Sequence, residues 1–256
     1  MSDDATPRLS LAGADLFEAD LSGAVLRESD LRGTRIVGSL VDGLEITAFS
    51  GILGSITVEG VDVVPFVEAE LDRRFPYRPL LRRATTADDL RATFAVVDAL
   101  WVDLLERAAD LPDPVRRRQV GGEWSLAQTV RHLVMATDIW VGRMLRGQEH
   151  PWHPIGQPVG DEPRESVLAM GVDPEADPPW EHVVEVWRTR RAMAAEEFAA
   201  ATDDRLDDDI TGSPTPAIGE ETRSRRRCLL TIVREMGEHH RYATRDLALI
   251  EAGAPS

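Results

Sequence analysis

A five-residue repeat constrains the first sixty residues more than any other feature of the sequence. A period of five matches neither the 3.6-residue period of an α-helix nor the two-residue period of a β-strand. Four five-residue faces would instead close a square coil, with the aliphatic side chains inside it. A small residue stands two positions before most of the aliphatic ones. The aliphatic row comprises Leu11, Leu16, Leu21, Leu26, Leu31, Ile36, Val41 and Ile46.

The stretch GADLFEADLSGAVLRESDL resembles the pentapeptide-repeat family, whose motif is roughly A-D/N-L-x-x. The resemblance implies a right-handed quadrilateral β-helix, which we assign to residues 9–60. Eight repeats make only about two coils, and stacked repeats are stabilised by their neighbours. We therefore expect this solenoid to pack against another part of the protein or a partner. After Ile46 the pattern decays, because Ile56 and Val61 keep the register but Gly51 breaks it.

The residue types that are missing exclude several kinds of catalytic site. All 29 basic residues are arginine, no asparagine occurs, and Cys228 is the only cysteine. Without lysine there is no Schiff base and no lysine of a P-loop. Without asparagine there is no Cys-His-Asn triad. A single cysteine forms neither an internal disulfide nor a CxxC site.

The charge and hydropathy of the chain narrow its expected partners. The formal net charge is −16, so the protein should repel phosphate backbones, and we expect no nucleic-acid partner. No apolar run approaches the length of a membrane span, and the segment MSDDATPRLS is too acidic and polar for a signal peptide. We therefore expect a cytoplasmic protein without a membrane partner.

Residues 85–252 predict four long amphipathic helices after a connector at residues 61–84. In the connector a short helix is expected after Pro65, and Pro76 and Pro79 should then break the chain. Four amphipathic helices of this length predict a four-helix bundle, so the fold class is mainly α. The long helices are predicted at residues 87–110, 125–146, 179–201 and 223–252.

Capping motifs support two of the predicted helix starts. Thr86 can cap the first long helix, with Asp89 three residues later, and Ser125 with Gln128 forms a capping box at the second. Gly147 should end the second helix.

Two charged clusters and one long connection lie between these helices. The connection at residues 147–178 should be a lid or a flexible excursion, because connections of that length are uncommon in compact domains. The acidic run at residues 203–209 predicts a solvated turn. Cations oppose the dipole at a helix start, so the arginine cluster at residues 223–227 should form salt bridges to the acidic run or bind an anion.

Histidine spacing indicates a candidate metal site within the bundle. Glu235 and His239 are spaced i, i+4, so they project from one face of the last helix about one turn apart. If the second and fourth helices are neighbours, His132 converges with them. Two histidines and one carboxylate leave coordination positions open, as a catalytic metal requires. In a competing register His240 points inward and His239 is exposed, and periodicity alone leaves both readings open.

Two further segments are similar to the DinB-like superfamily. EWSLAQTVRHLVMATDIWVGRML is followed about 90 residues later by REMGEHHRYATRDLALIE, and the resemblance covers about residues 65–252. It implies a four-helix bundle in which a histidine from the second helix and an H/E-x-x-x-H pair from the last bind a divalent metal. On this sequence those ligands are His132, Glu235 and His239. Many relatives have histidine where Glu235 stands, and the neighbouring His240 leaves the last ligand open.

The same resemblance implies a class of reaction. Several DinB-like branches are thiol S-transferases or isomerases that use mycothiol or bacillithiol. The implied cofactor is a divalent transition metal, with zinc expected and nickel or iron as alternatives. The expected partners are a small-molecule thiol and an electrophile, and a homodimer is compatible with this reading.

Other residues near the candidate ligands have suggested roles. We interpret Cys228 as a small core residue, so the thiol should arrive as a substrate. Arg241 could hold a substrate carboxylate, and Tyr242 could donate a proton or a hydrogen bond. Trp124 and Trp140 could line an apolar pocket. Each of these last three assignments also has a purely structural alternative.

Two non-enzymatic functions compete with the thiol transferase. In one, the repeats are a binding surface and the bundle is a scaffold. In the other, the repeats imitate DNA and protect gyrase, as the resemblance to gyrase-protecting pentapeptide proteins suggests. Residues 1–60 carry ten acidic residues and four arginines, a net charge of −6. Two coils would be short for such mimicry.

Overall fold

The computed structural model describes residues 9–27, 29–48, 53–159 and 162–253. The chain divides into two compact units, Met1–Ile52 and Leu53–Ser256. Gly51, where the repeat register was expected to break, lies outside the described residues. Within the described ranges, no helix combines the length and the apolar character needed to cross a bilayer.

The first unit has a turn at Phe17–Glu18 and a series of four other turns at ten-residue intervals. Each turn of this series closes with a backbone hydrogen bond, as from the Ala14 N–H to the Leu11 carbonyl at 2.9 Å and from the Ala24 N–H to the Leu21 carbonyl at 3.0 Å. A glycine with a φ of 71–77° occupies each turn of this series, a conformation that other residues adopt only with strain. The described part of this unit contains these turns without paired strands, so the β-helix stays a prediction.

The aliphatic row of the first unit is less buried than the interior of a closed coil should be. Its eight side chains are 51–63% exposed. A stack of about two coils gives each coil a neighbour on one side only, so an interior row in such a stack stays partly uncovered.

The second unit begins with a short hairpin and two short helices. Strand β1, Thr57–Val58, pairs antiparallel with β2, Val61–Asp62, and helices α1, Val64–Arg74, and α2, Tyr77–Arg83, follow. The predicted break at Pro76 is present, because α1 ends at Arg74 and α2 starts directly after Pro76, but the predicted break at Pro79 is wrong, because α2 includes Pro79. Pro79 lies in the first turn of α2, where a backbone N–H has no partner within the helix, so proline costs no hydrogen bond there.

The four predicted long helices are present and pack in a closed ring. The helix bounds are α3 Ala87–Ala109, α4 Asp113–Arg116, α5 Leu126–Thr137, α6 Arg164–Ala169, α7 Trp180–Ala200 and α8 Arg225–Glu251. In the ring α3 contacts α8, α8 contacts α5, α5 contacts α7, and α7 contacts α3. The two short helices, α4 and α6, lie in the connections. The second unit is therefore mainly helical, as expected.

Both predicted capping motifs are formed. The Thr86 side chain accepts from the Asp89 N–H while the Asp89 carboxylate accepts from the Thr86 N–H. Ser125 and Gln128 make the same reciprocal pair at the start of α5. These bonds satisfy N–H groups that the first turn of a helix leaves without partners, which fixes where each helix begins.

The second long helix changes geometry halfway, which the sequence analysis did not predict. After Thr137 it continues as a π-helix, Asp138–Leu145, instead of an α-helix to residue 146. A buried ion pair holds the first residue of this segment, because the Arg190 Nε donates to Asp138 Oδ1 at 2.7 Å. The residues of this segment would also suit an α-helix, so tertiary contacts outweigh their local conformational preference here. Gly147, at a φ of 64°, follows its end as expected.

A second hairpin replaces part of the predicted turn and the predicted start of the last helix. Strand β3, Asp209–Gly212, pairs antiparallel with β4, Glu221–Ser224. Arg223 therefore lies in a strand, and α8 begins two residues later than predicted. The strands are short and polar, so they carry no apolar alternation that would reveal them.

The arginine cluster forms ion pairs with nearby acidic residues. Arg226 Nε lies 3.1 Å from Asp207 Oδ1, which confirms a salt bridge between the cluster and the acidic run. Arg225 instead lies 3.5 Å from Glu197 on α7.

The bundle core is built around two tryptophans. Trp101 and Trp187 are fully buried and meet edge to face, with ring centroids 6.4 Å apart. The Trp101 indole N–H donates to the Met236 carbonyl at 2.8 Å, which ties α3 to α8. Helix α2 docks on the same helix, because the Tyr77 ring fills the notch left by Gly237.

Candidate metal centre

Three side chains from two neighbouring helices converge near one side of the bundle. His132 comes from α5, and Glu235 and His239 come from α8. The Oε2 atom of Glu235 lies 3.5 Å from His132 Nε2 and 3.3 Å from His239 Nε2. One possible ligand atom from each of the three residues lies within 4.8 Å of the other two. The three residues suggested by spacing and by family resemblance are thus brought together.

A backbone carbonyl orients the His132 ring. His132 Nδ1 lies 3.1 Å from the Gln157 carbonyl oxygen. Because a carbonyl only accepts hydrogen bonds, Nδ1 carries a proton, and Nε2 is the ring nitrogen that faces Glu235. Metal-binding histidines are commonly oriented through the second ring nitrogen in this way.

The donor set fits a bound cation. His132 Nε2 and an oxygen of Glu235 face each other at 3.5 Å in a largely buried position, so the two atoms can share a proton or, in its place, a metal cation. His239 Nε2 faces the same oxygen. Two imidazole nitrogens and one carboxylate suit a divalent transition metal, and three protein ligands leave at least one coordination position open.

The protonation states also suit metal binding. Burial opposes the charge on Glu235, but hydrogen bonds to His132 and His239 outweigh burial and hold the Glu235 pKa well below its usual range. Burial lowers the pKa of His239, against the opposing effect of Glu235. At neutral pH the set therefore contains an ionised carboxylate and a neutral His239, the forms that bind metals.

Trp124 covers one side of the centre. Its ring centroid lies 4.6 Å from that of His132 and 5.8 Å from that of His239. Gly121 and Gly122 precede it with φ values of 58° and 77°. Two successive left-handed residues make the chain turn sharply, and this turn brings Trp124 against the histidines. Trp124 therefore lies against the two candidate histidine ligands, and the apolar pocket that it could line stays a prediction.

His239 and His240 point to different parts of the bundle. His240 is buried against Trp101 of α3, with ring centroids 5.6 Å apart, and burial lowers the His240 pKa. Successive residues of an α-helix differ by about 100°, so one histidine reaches the candidate ligands while the next enters the core. Of the two registers left open by periodicity, the structure adopts the one that brings His239 to the site.

Arg241 and Tyr242 lie beside the centre but already have partners. Arg241 Nη2 lies 2.7 Å from Glu238 Oε2 and 3.0 Å from the Tyr242 hydroxyl oxygen. The Tyr242 ring meets His239 edge on, with centroids 6.3 Å apart. Burial raises the pKa of Tyr242, so its hydroxyl stays protonated at neutral pH.

Two other suggested residues lie in different surroundings. Trp140 belongs to the π-helix, and the Arg223 guanidinium lies 4.4 Å above its ring. Cys228 is fully buried in the first turn of α8, where burial raises the thiol pKa to about 11. A thiol in that state is a core residue, as predicted, and an ineffective nucleophile.

Sequence reasoning missed Gln157 and Glu238. Gln157 acts through its backbone carbonyl, which every residue possesses, so its side chain gives no signal. Glu238 pairs with Arg241 at i, i+3 and also lies 3.4 Å from the Tyr77 hydroxyl. The i, i+3 spacing could have indicated the first of these contacts.

Comparison with protein families agrees with these observations. The DinB superfamily matches residues 97–243, which include His132, Glu235 and His239. Pentapeptide repeats match in eight copies over residues 10–41. Neither the curated proteins nor the solved structures yield a match. Since the first match covers more than half of the sequence, the chain belongs to the DinB superfamily, with pentapeptide repeats ahead of its helical domain.

Proposed function

We propose that this protein is a metal-dependent enzyme that transfers a low-molecular-weight thiol, of the mycothiol type, to an electrophilic small molecule. The observation that carries the proposal is the convergence of His132, Glu235 and His239 from two helices of the bundle. Three ligands of this kind leave coordination positions for a substrate. The choice of a thiol as substrate rests on the resemblance to thiol-transferring DinB-like branches.

Zinc is the metal we propose for this site, with nickel and iron as alternatives. Zinc accepts nitrogen and carboxylate ligands in catalytic sites that keep an open position. A bound divalent metal lowers the pKa of a coordinated thiol, so that the thiolate is available near neutral pH.

The residues of the chain itself would bind and orient the reactants. Gln157 holds the His132 ring, and Trp124 offers an apolar face for a substrate and limits access of water from its side. Tyr242, with its raised pKa, suits hydrogen-bond donation better than proton transfer. Arg241 suits a substrate carboxylate, which would share the guanidinium with Glu238.

The buried Cys228 supports an external thiol. It is the only cysteine in the sequence, and its raised pKa leaves it protonated at neutral pH. A thiol reaction at this centre therefore needs a thiol from solution, which matches the open coordination position.

The proposal is tested by metal analysis together with a thiol-consumption assay. Purified protein reconstituted with zinc should bind close to one equivalent and accelerate loss of a cysteine-derived thiol in the presence of an epoxide or an α,β-unsaturated carbonyl. His132→Ala and His239→Ala should abolish both metal binding and activity, whereas His150→Ala, at a side chain 77% exposed, should preserve them. Metal content far below one equivalent in the wild type and unchanged in the ligand variants would contradict the proposal.

A second candidate function concerns the repeats. We infer that the repeats at residues 10–41 form a right-handed quadrilateral β-helix that binds a macromolecular partner, and that this β-helix ends before the hairpin that starts at Thr57. The ten-residue spacing of the turns and the half-exposed aliphatic row support this reading. The partner could be gyrase, bound through DNA mimicry, or a second copy of the chain in a homodimer. A supercoiling assay tests the gyrase partner, and gyrase activity that is unchanged at micromolar protein would exclude gyrase protection. Sedimentation tests the homodimer.

A further inference from the structure

A short segment of the long connection between α5 and α7 is fastened to the helix that carries His132. We name residues 153–157 the strap. Two of its backbone bonds anchor it near the metal centre: the Gln157 N–H donates to the Arg131 carbonyl at 3.2 Å, and the Gln157 carbonyl accepts from His132 Nδ1 at 3.1 Å. The strap therefore sets the orientation of a candidate metal ligand.

A buried carboxylate holds the other end of the strap. The His153 N–H donates to Asp138 Oδ2 at 2.9 Å. Asp138 is 1% exposed and is paired with Arg190 of α7. Burial of a carboxylate is costly unless it is paired and hydrogen-bonded, and both of its oxygens are engaged here. Asp138 is thus held in place by Arg190 of α7 as well as by its own position in the π-helix.

A buried guanidinium holds the middle of the strap. Arg131 Nε donates to the Ile155 carbonyl at 2.8 Å, and the residue is 6% exposed. Its Nη2 atom has no hydrogen-bond partner among the residues that the structure describes. Burial of an arginine with an unsatisfied donor costs free energy of folding. The hydrogen bond to the strap offsets part of that cost and explains why Arg131 lies there.

The strap also lies tight against α5. A Cβ atom on Gly156 would sit 3.2 Å from the Met135 Cβ and 3.3 Å from the His153 carbonyl oxygen. Only a glycine lets the strap approach the helix this closely without displacement.

We propose that Arg131 and Asp138 are positioning residues for the metal centre. They hold the strap so that the Gln157 carbonyl keeps the proton of His132 on Nδ1 and directs Nε2 at Glu235 and His239. Neither residue belongs to the donor set of His132, Glu235 and His239. The inference rests on the metal-binding part of the proposed function and not on thiol chemistry.

The test measures metal affinity and the tautomer of His132 without any thiol or electrophile. In Arg131→Met, competition with a chelator should show zinc or cobalt affinity about tenfold weaker, in the range found for outer-shell partners of metal-binding histidines. The visible spectrum of the cobalt-loaded protein should change, because a rotated imidazole alters the ligand geometry. Arg143→Met is the matched control, since Arg143 also donates to backbone carbonyls, but to Ser213 and Gln148 outside the strap.

The His132 tautomer gives a readout that does not need a folded variant or a bound metal. Nitrogen NMR of the metal-free wild type should show the proton on Nδ1. An Nδ1 atom without a proton would overturn the proposal even if no metal binds, so its failure is separate from that of the proposed function. Gly156→Ala, which shifts the strap without removing a charge, should weaken metal affinity in the same direction as Arg131→Met. Wild-type affinity and an unchanged cobalt spectrum in both variants would also overturn the proposal.

Discussion

His132 Nε2 and Glu235 Oε2 lie 3.5 Å apart, although the two residues belong to helices far apart in the chain. Each is held from its own side, His132 by the Gln157 carbonyl and Glu235 by its place on α8 one turn before His239. The contact between His132 and Glu235 therefore depends on the packing of α5 against α8 and not on residues next to either one in the sequence.

The charge of Glu235 should determine metal affinity. In Glu235→Gln the side chain keeps its size and loses its charge, and a neutral amide oxygen is a poorer ligand for a divalent transition metal. Loss of an outer-shell partner costs about 10–100-fold in affinity, and weakening a direct ligand should cost at least as much. Isothermal titration or chelator competition measures the effect. Glu149→Gln, at a side chain 87% exposed, is the control, and equal affinities in both variants would exclude Glu235 as a ligand.

The pH dependence of stability should report Asp138. Burial raises its pKa to about 6, from 3.8 for the free group. Between these values the native state keeps a proton that the unfolded chain has released, so this contribution is full below pH 3.8 and is lost as the pH rises through 6. The unfolding free energy of the wild type relative to Asp138→Asn should fall by roughly 3 kcal/mol from pH 3 to pH 7.

Urea unfolding at a series of pH values measures this difference. The comparison with Asp138→Asn removes the titration of all other carboxyl groups, which are common to both proteins. A difference that stays constant or grows with pH would mean that the Arg190 guanidinium keeps Asp138 ionised in the native state.

Gly237→Ala should destabilise the protein, although alanine normally favours a helix by about 1 kcal/mol over glycine. A Cβ at this position would overlap the Cε2 atom of Tyr77, which is fully buried. Overpacking of this kind costs about 1–3 kcal/mol and should outweigh the helix preference. Chemical denaturation measures the change. In a Tyr77→Ala background the same substitution should become neutral or stabilising, and destabilisation that persists there would point to a cause other than the ring.

Cys228 should be inert in the native protein. It is fully buried with a pKa of about 11, so iodoacetamide at pH 8 should leave it unmodified until a denaturant is added. Intact-mass spectrometry counts the added groups. Cys228→Ala should retain thiol transfer, and loss of activity with the fold preserved would assign the chemistry to this thiol instead of an external one.

Local signals in the sequence predicted the helices well. The capping residues at Thr86 and Ser125 act through hydrogen bonds to the next three residues, so their effect can be read without knowledge of the fold. The π-helix and the hairpin of β3 and β4 were missed. Contacts from distant residues such as Arg190 hold the π-helix, and no short window of sequence contains them.

The candidate site could be predicted only in part. The i, i+4 spacing of Glu235 and His239 places them on one face of a helix whatever the fold is. The choice between His239 and His240 depends on where α3 and α5 lie around α8, so it required the packing of the bundle. The Gln157 carbonyl was not predictable, because every backbone offers the same group.

The separation of the ligands along the chain gives the metal centre a mechanical consequence. A cation held by His132 on one helix and by Glu235 and His239 on another is a cross-link that closes a loop of about 100 residues. The unfolded chain lacks such a preformed site, so ion release and global unfolding are thermodynamically coupled. If the site binds an ion as proposed, withdrawal of that ion would leave a protein with the same contacts but a shorter lifetime against proteases, and metal supply would then act on the abundance of the protein.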